Sequence, residues 1–218
     1  MANIKQADRN YLRKEFEKLI DPVKLVFFTQ EFECQYCQLT HELMTELSEI
    51  SDKITLEIYD FVKDKEKVAH YKIDRIPALV VEGKKDYGIR FYGIAAGYEF
   101  STLIEDIVDV SKGTTNLSEA TKAALKKLTK LVDIKVFITS TCPYCPQAVR
   151  TAHPMAMESD MMTGVMVEAS EFPQLTNKFS VSAVPKVVIN ELVDFTGALP
   201  ESSYLEKVLE AEGASKRS

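Results

Sequence analysis

The sequence of 218 residues has few or none of several residue types and segments that would indicate a particular class of protein. It contains no tryptophan, three histidines, eight glycines and four cysteines. No run of about 18 apolar residues occurs, so the sequence predicts no membrane-spanning helix. The polar start MANIKQADRN has no apolar segment typical of a secretory signal. We therefore expect a cytoplasmic protein with no membrane partner.

Charge also argues against one class of partner. The chain has 27 basic and 33 acidic residues, a net charge of −6, and no cluster of lysine or arginine longer than a pair such as Lys126-Lys127. Nucleic acids and anionic membranes attract basic surfaces, so neither is the expected partner. The 45% of apolar residues is enough for a packed core.

The four cysteines form two C-x-x-C pairs, CQYC at 34–37 and CPYC at 142–145. Secreted domains usually place cysteines in bridges across long loops. A bridge across two residues closes so short a loop that it hardly restricts the unfolded chain. Each pair therefore suits reversible chemistry better than a permanent structural role.

The sequence is a tandem repeat. Cys142 follows Cys34 by 108 positions, and Pro185 follows Pro77 by the same interval. The segment SKGTTNLS at 111–118 interrupts both helix and strand patterns. We therefore predict two units, residues 1–112 with the CQYC site and residues 113–218 with the CPYC site. Because the connection is short, we expect the two units to pack against each other.

Both units show the same order of predicted elements. A helix and an apolar strand precede the cysteine pair, which opens a second helix. A strand, a short helix, a strand pair that begins at the late proline and a last helix follow. This order predicts an α/β fold of two tandem units, each a mixed central sheet flanked by helices. Apolar spacing extends the first helices through Ile20 and Val132, and Pro154 predicts a kink or an end in the helix after Cys145.

Three chemistries suit a C-x-x-C pair: zinc binding, a structural disulfide and dithiol redox exchange. Zinc ribbons usually separate their two pairs by about 15–20 residues, whereas Cys142 follows Cys37 by 105 positions. Each pair follows a predicted strand and opens a helix, where free N–H groups and the helix dipole stabilise a thiolate. The second sulfur can then displace a substrate bound to the first. This context favours redox exchange.

Strand, C-x-x-C, helix and a strand-initiating proline forty residues later together resemble the thioredoxin superfamily. Two such units, with CQYC first and CPYC second, are similar to the glutaredoxin-like protein disulfide oxidoreductases of thermophilic archaea and bacteria. The resemblance implies an enzyme that reduces, forms or isomerises disulfides in protein substrates. It also implies no cofactor beyond the cysteine disulfides, no metal, and a thioredoxin reductase-type flavoprotein as reductant.

The resemblance assigns roles to residues of this chain. Cys34 and Cys142 are implied to be the nucleophiles, while Cys37 and Cys145 are implied to resolve the mixed disulfides. Pro77 and Pro185 look like the family's cis-prolines. The remaining residues implied to shape the sites or bind the client are Gln35, Tyr36, Pro143, Tyr144, Ile76 and Val184.

One position departs from the thioredoxin pattern. Thioredoxins carry a buried aspartate six residues before the first cysteine, where this chain has Phe28 and Val136. Asp60 and Glu168 end the next predicted strand in each unit and are candidate proton acceptors. Capping of the strand ends by their carboxylates is the favoured interpretation.

Two other functions stay open. The tandem-thioredoxin module of alkyl hydroperoxide reductase flavoproteins has a similar layout and relays electrons to a peroxidase, although one of its units lacks the cysteine pair. The second alternative is a non-catalytic zinc-binding or chaperone scaffold. Local charge further distinguishes the two sites, because Glu31 and Glu33 precede Cys34 and disfavour its thiolate. We therefore predict that the Cys142 pair is the more reactive.

Overall fold

A computed structural model describes residues 4–214. Within that range the chain forms eight helices and eight strands. In chain order they are α1 (Gln6–Phe16), β1 (Val23–Thr29), α2 (Cys37–Ser48), β2 (Ile54–Asp60), α3 (Lys65–His70), β3 (Ala78–Glu82), β4 (Asp86–Tyr92), α4 (Glu99–Lys112), α5 (Glu119–Leu125), β5 (Val132–Ile138), α6 (Cys145–Met157), β6 (Met162–Glu168), α7 (Pro173–Lys178), β7 (Lys186–Ile189), β8 (Val193–Thr196) and α8 (Glu201–Gly213).

The eight strands form one mixed sheet in the order β2-β1-β3-β4-β6-β5-β7-β8. In each half the first strand pairs parallel with the second and antiparallel with the third, which pairs antiparallel with the fourth. The predicted α/β fold of two mixed-sheet units is confirmed. The two sheets are in addition continuous with each other.

Backbone hydrogen bonds join the two halves. Residues 89–92 of β4 pair parallel with residues 164–167 of β6. Gly88 permits this approach, because it has a φ of 78° and a Cβ at its position would lie 2.6 Å from the Met162 carbonyl oxygen. The predicted packing of the two units against each other is therefore confirmed, and it includes a shared sheet.

Helices cover both faces of the sheet. Residues of β1 alternate between the faces, as the pleat requires. Leu25 and Phe27 pack into the larger core cluster with α1, α2, α4, α5, α6 and α8. Val26 and Phe28 pack into a smaller cluster on the opposite face, where α3 and α7 lie. The helices that carry Cys37 and Cys145 therefore lie on the same face.

The predicted extent of the first helix in each unit was wrong. α1 ends at Phe16 and α5 at Leu125, because the apolar spacing ran on into the turn and the following strand; Val132 already pairs with Met162. Pro154 does not end α6, which continues to Met157. The flanking residues Ala152, Met155 and Ala156 are buried in the core, and this packing holds the helix together despite the missing N–H donor.

Within residues 4–214, no helix has the length and apolar character needed to cross a bilayer.

Candidate active site

Both cysteine pairs lie at one edge of the sheet. β1 and β5 run parallel to β4 and β6, so their C-terminal ends point in the same direction. The loop after β1 carries Cys34 and leads into α2, which begins at Cys37. The loop after β5 carries Cys142 and leads into α6, which begins at Cys145. The repeat therefore places two equivalent sites at the same end of the sheet, four strands apart.

The first site is the more open one. Cys34 and Cys37 form a disulfide with a Cα–Cα distance of 5.4 Å. Cys34 is half-buried, whereas Cys37 is buried. Gln35 is exposed, and Tyr36 packs partly against the core while its carbonyl accepts hydrogen bonds from the Thr40 backbone N–H and hydroxyl.

The second site is more enclosed. Cys142 and Cys145 form a disulfide with a Cα–Cα distance of 5.5 Å, and both cysteines are buried. The intervening Pro143 and Tyr144 are exposed. Tyr98, from the loop after β4, donates its backbone N–H to the Ser140 carbonyl at 3.1 Å. A loop of the first half therefore packs directly against the second dithiol site.

The two late prolines occupy equivalent places. The peptide bonds Ile76-Pro77 and Val184-Pro185 are cis, as the family resemblance implies. Each proline directly precedes a strand, β3 or β7, and its carbonyl accepts a hydrogen bond from a glycine of the hairpin partner, Gly93 or Gly197. Each of these strands pairs with the strand that leads to a cysteine pair.

The two candidate proton acceptors bind backbone groups at the strand ends. Asp60 accepts hydrogen bonds from the N–H groups of Val62 and Lys63, and these bonds lower the pKa of its carboxyl. Glu168 is buried and accepts hydrogen bonds from Ser170 and Glu171. Both carboxylates therefore cap the loops that follow their strands, as the favoured interpretation predicted.

A different carboxylate lies on α4, the helix that packs against α6. Glu99, in the first turn of α4, is fully buried, and neither of its side-chain oxygens has a hydrogen-bond partner. Burial, with a smaller contribution from the charge of Asp106, raises the pKa of this group to about 7, and the neighbouring Thr102 offsets only part of the shift. Glu99 is therefore poised to gain or lose a proton near neutral pH, as is Glu171 after β6, whose pKa burial also raises to about 7.

The packing of α4 against α6 sets the position of Glu99. Contacts advance in the same direction along both helices, from Tyr98 with Ser140 to Asp106 with His153. The two helices are therefore parallel. At about 1.5 Å per residue, Glu99 lies some 10 Å before Asp106, and Cys145 about 12 Å before His153. Glu99 of the first half is thus level with Cys145 of the second.

Farther along the same helices lies a buried ionic cluster. Arg150 forms ion pairs with Glu105, Asp106 and Asp109 of α4. His153 Nδ1 lies 2.5 Å from Asp106 Oδ2. This cluster fixes α6 against α4, and through it the second cysteine pair against the first half of the chain.

Comparison with known proteins gives the same result as the geometry. The thioredoxin-domain family matches residues 24–104 and, a second time, residues 132–210. The chain belongs to the thioredoxin family. Both matched ranges contain a cysteine pair and a late cis-proline, so each half is a thioredoxin-fold unit.

Solved structures of tandem thioredoxin-family proteins are similar over nearly the whole chain. A protein disulfide oxidoreductase from Aeropyrum pernix has 32% identity and a TM-score of 0.91, covering 98% of this chain and 96% of that one. The alkylhydroperoxide reductase AhpF of Enterococcus faecalis has 25% identity and a TM-score of 0.87, covering 94% of this chain and 99% of that one. The resemblance to protein disulfide oxidoreductases is confirmed.

A curated relative extends the second similarity. The alkyl hydroperoxide reductase AhpF of Staphylococcus aureus is 25% identical over 176 residues, which is 80% of this chain. The thioredoxin-family chain spans about a third, 32%, of the length of that relative. Two known classes of redox protein thus share this pair of units.

The geometry of the thioredoxin-family sites excludes a shared zinc ion. The strands that lead to the two cysteine pairs are four positions apart in the sheet, and a spacing of about 4.8 Å per strand separates the pairs far beyond zinc–sulfur bonding distance. Among residues 4–214 no group of three or more His, Cys, Asp or Glu side chains is arranged to hold a metal. The redox centres are the cysteine pairs themselves.

The buried Glu99 of this thioredoxin-family chain should make stability depend on pH. Its pKa is about 7 in the folded chain, against an ordinary glutamate value of 4.5, so the unfolded chain loses this proton first and stability falls as pH rises from about 4.5 to 7. Glu99→Gln should therefore raise the free energy of unfolding by about 2 kcal/mol at pH 8 and change it little at pH 4.5.

Urea unfolding at both pH values measures this difference. Glu66→Gln is the matched control, because Glu66 also lies in the first turn of a helix but is exposed. An equal effect of Glu99→Gln at pH 4.5 and pH 8 would contradict the assignment of a neutral carboxyl.

Proposed function

We propose that this protein is a thiol–disulfide oxidoreductase that acts on protein disulfides through two dithiol sites. The observation that carries this proposal is the duplicated constellation of a cysteine pair at a helix start and a cis-proline before the neighbouring strand. The similarity to a protein disulfide oxidoreductase across 98% of the chain supports it.

In the reducing direction, the Cys142 thiolate attacks one sulfur of a client disulfide. A mixed disulfide forms and one client thiolate leaves. The Cys145 thiolate then attacks Cys142 Sγ, which forms the Cys142–Cys145 disulfide and releases the second client thiolate. Two electrons pass to the client, and the reverse sequence oxidises a client dithiol. Cys34 and Cys37 perform the same steps at the first site.

Helix position supports the assignment of the second cysteines as resolving thiols. Cys37 and Cys145 begin their helices and are less exposed than Cys34 and Cys142, respectively. The first cysteine of each pair is the one that a client reaches. Free N–H groups of the first helical turn stabilise its thiolate. The exposed Gln35, Pro143 and Tyr144, together with Tyr36, shape the turn around the reacting sulfurs.

Glu99 supplies the proton acceptor that the sequence pattern lacked. Cys145 must lose its proton before it attacks Cys142, and it is fully buried. Glu99 is level with Cys145 and has no hydrogen-bond partner for either oxygen. Because its pKa is about 7, it accepts and returns a proton at neutral pH. Asp60 and Glu168 keep the role of loop caps.

Client binding uses the backbone before each cis-proline. Among the described residues, the N–H and C=O groups of Ile76 and Val184 make no hydrogen bond. Both residues are partly exposed. An extended client segment can therefore pair with them as an added strand beside the cysteines.

The proposal extends to partners and compartment. The clients are proteins with disulfides or thiols, and the reductant is a thioredoxin reductase-type flavoprotein in the cytoplasm. We assign residues 1–112 and 113–218 to the two functional units. A second candidate function is an electron relay to a peroxidase, which the similarity to alkylhydroperoxide reductase AhpF favours.

Insulin reduction with dithiothreitol tests the proposal. The wild-type chain should accelerate precipitation of the insulin B chain well above the uncatalysed rate. A variant with all four cysteines changed to Ser provides the control, because serine is close to cysteine in size but has no thiol. Equal rates for the two proteins would overturn the proposed function.

A further inference from the structure

The two dithiol sites are too far apart to exchange electrons directly. Phe28 of β1 and Phe137 of β5 lie in one row across the sheet, connected through Ala78, Tyr92 and Val167. Four strand spacings of about 4.8 Å separate them by roughly 19 Å. Because each strand is rotated by about 20° relative to its neighbour, the distance between the two sites beyond the C-terminal ends of β1 and β5 is larger, some 20–27 Å.

Both sites nevertheless lie at the same height on that edge. Cys34 follows Phe28 by six residues, and Cys142 follows Phe137 by five. The edge between them consists of the loops after β4 and β6 and the residues that precede β3. Gly97 lies so close to Ser140 that a Cβ would be 2.1 Å from its carbonyl oxygen. The loop after β4 therefore lies against the second site, at the end of the central strand between the two sites.

Exposed aromatic side chains are distributed along this edge. Phe32 precedes the first cysteine pair and is 73% exposed, and Tyr144 lies within the second pair and is 70% exposed. Tyr98 lies in the loop after β4, where its backbone N–H contacts Ser140 two residues before Cys142, and its side chain is 52% exposed. Large exposed aromatic side chains provide contact area for an apolar polypeptide at low cost in conformational entropy.

We propose that this edge binds one extended client chain and that both dithiol sites react with it at once. An extended chain rises about 3.3 Å per residue, so a span of roughly 20–27 Å corresponds to two client cysteines about six to eight residues apart. The preferred client is an unfolded polypeptide with apolar residues between cysteines at that spacing. The inference rests on the proposed function and defines its substrate class.

The test uses the full chain with Cys37→Ser and Cys145→Ser, which leaves the Cys34 and Cys142 thiols. The probes are synthetic peptides with apolar residues between two cysteines, each cysteine blocked as a mixed disulfide with thionitrobenzoate. One peptide has its cysteines eight residues apart and the other three. Each attack forms one protein–peptide disulfide and releases one thionitrobenzoate anion, so absorbance counts the bonds and mass spectrometry counts the peptides.

The long peptide is used at 10 µM, which is about 10⁻² of the millimolar effective concentration of a tethered end. One long peptide should form both disulfide bonds with one protein chain. The second disulfide bond should form about 100-fold faster with the peptide that is already attached than with a second peptide from solution. The short peptide should bind through one bond and retain one thionitrobenzoate. Tyr98→Ala should slow the second bond of the long peptide about fivefold, whereas Tyr11→Ala, a change at an exposed tyrosine on α1, should not.

Two adverse outcomes are distinguishable. If the long peptide occupies the two sites only as two molecules per chain, or if both peptides form the second bond equally fast, the inference is wrong while the proposed function stands. If neither peptide forms a disulfide with Cys34 or Cys142, the proposed function itself fails.

Discussion

Replacing the second dithiol, Cys142→Ser/Cys145→Ser, should lower insulin-reduction activity at least about tenfold. The reason is the proposed proton acceptor at that site: general acid–base groups contribute about 10²–10⁴-fold to proton-transfer steps, and Glu99 lies on α4, which packs against α6 and is level with Cys145 along it. Beside α2 there is instead an open cavity of about 580 Å³ between α1, α2 and α4. The exposed Glu31 and Glu33 further disfavour a thiolate at Cys34.

The matched variant is Cys34→Ser/Cys37→Ser, which removes the same chemistry from the equivalent position. It should keep more than about half of the wild-type rate, because the site with the acceptor is intact. Iodoacetamide alkylation of the two variants over a pH range gives the thiol pKa of each remaining site. The reverse ranking of the two activities would show that Glu99 does not determine which site dominates.

Arg150→Met should destabilise the protein by about 3–5 kcal/mol, because it removes one partner from a buried ionic cluster. Asp106 is fully buried and is held between Arg150 and His153, and Asp109 also pairs with Arg150. Methionine keeps much of the side-chain volume. The decrease in the free energy of unfolding therefore measures the cost of leaving the buried carboxylates without their cationic partner. The cluster joins α4 to α6, so the change weakens the contact between the two halves.

Urea unfolding of the oxidised chain measures this loss. The control is Lys207→Met, which breaks an exposed pair with Glu210 and should cost less than about 1 kcal/mol. Asp106→Asn in the Arg150→Met background should recover part of the stability, because it removes one stranded charge. A loss with Arg150→Met no greater than with Lys207→Met would mean that the cluster is not stabilising.

The sequence was sufficient for the features that recur at short range in both units. The spacing of Cys34, Cys142, Pro77 and Pro185 predicted the order of elements and the two dithiol sites, because strand, turn and helix start are local patterns. The helix ends were misjudged where apolar residues continue across a turn, as at Leu128, which is buried but lies outside α5.

The contacts between the two halves could not be predicted from the sequence. The pairing of β4 with β6 joins residues about 75 positions apart, and the apolar residues of a strand do not identify the strand with which it pairs. Glu99 has the pattern of a surface residue of an amphipathic helix. Its spacing with Thr102 and Asp106 places polar groups on one face, but only the packing of α6 shows that this face is buried.

Redox titration of the full chain tests the central claim, that each C-x-x-C pair is an independent dithiol centre. The chain is equilibrated in a series of glutathione or dithiothreitol buffers, alkylated with iodoacetamide and weighed, and the peptides are mapped. We expect two transitions of two electrons each at potentials within about −270 to −120 mV, with four alkyl groups on full reduction and disulfides Cys34–Cys37 and Cys142–Cys145 on oxidation. Disulfides between the two pairs, or a pair that stays unchanged throughout the series, would contradict the account.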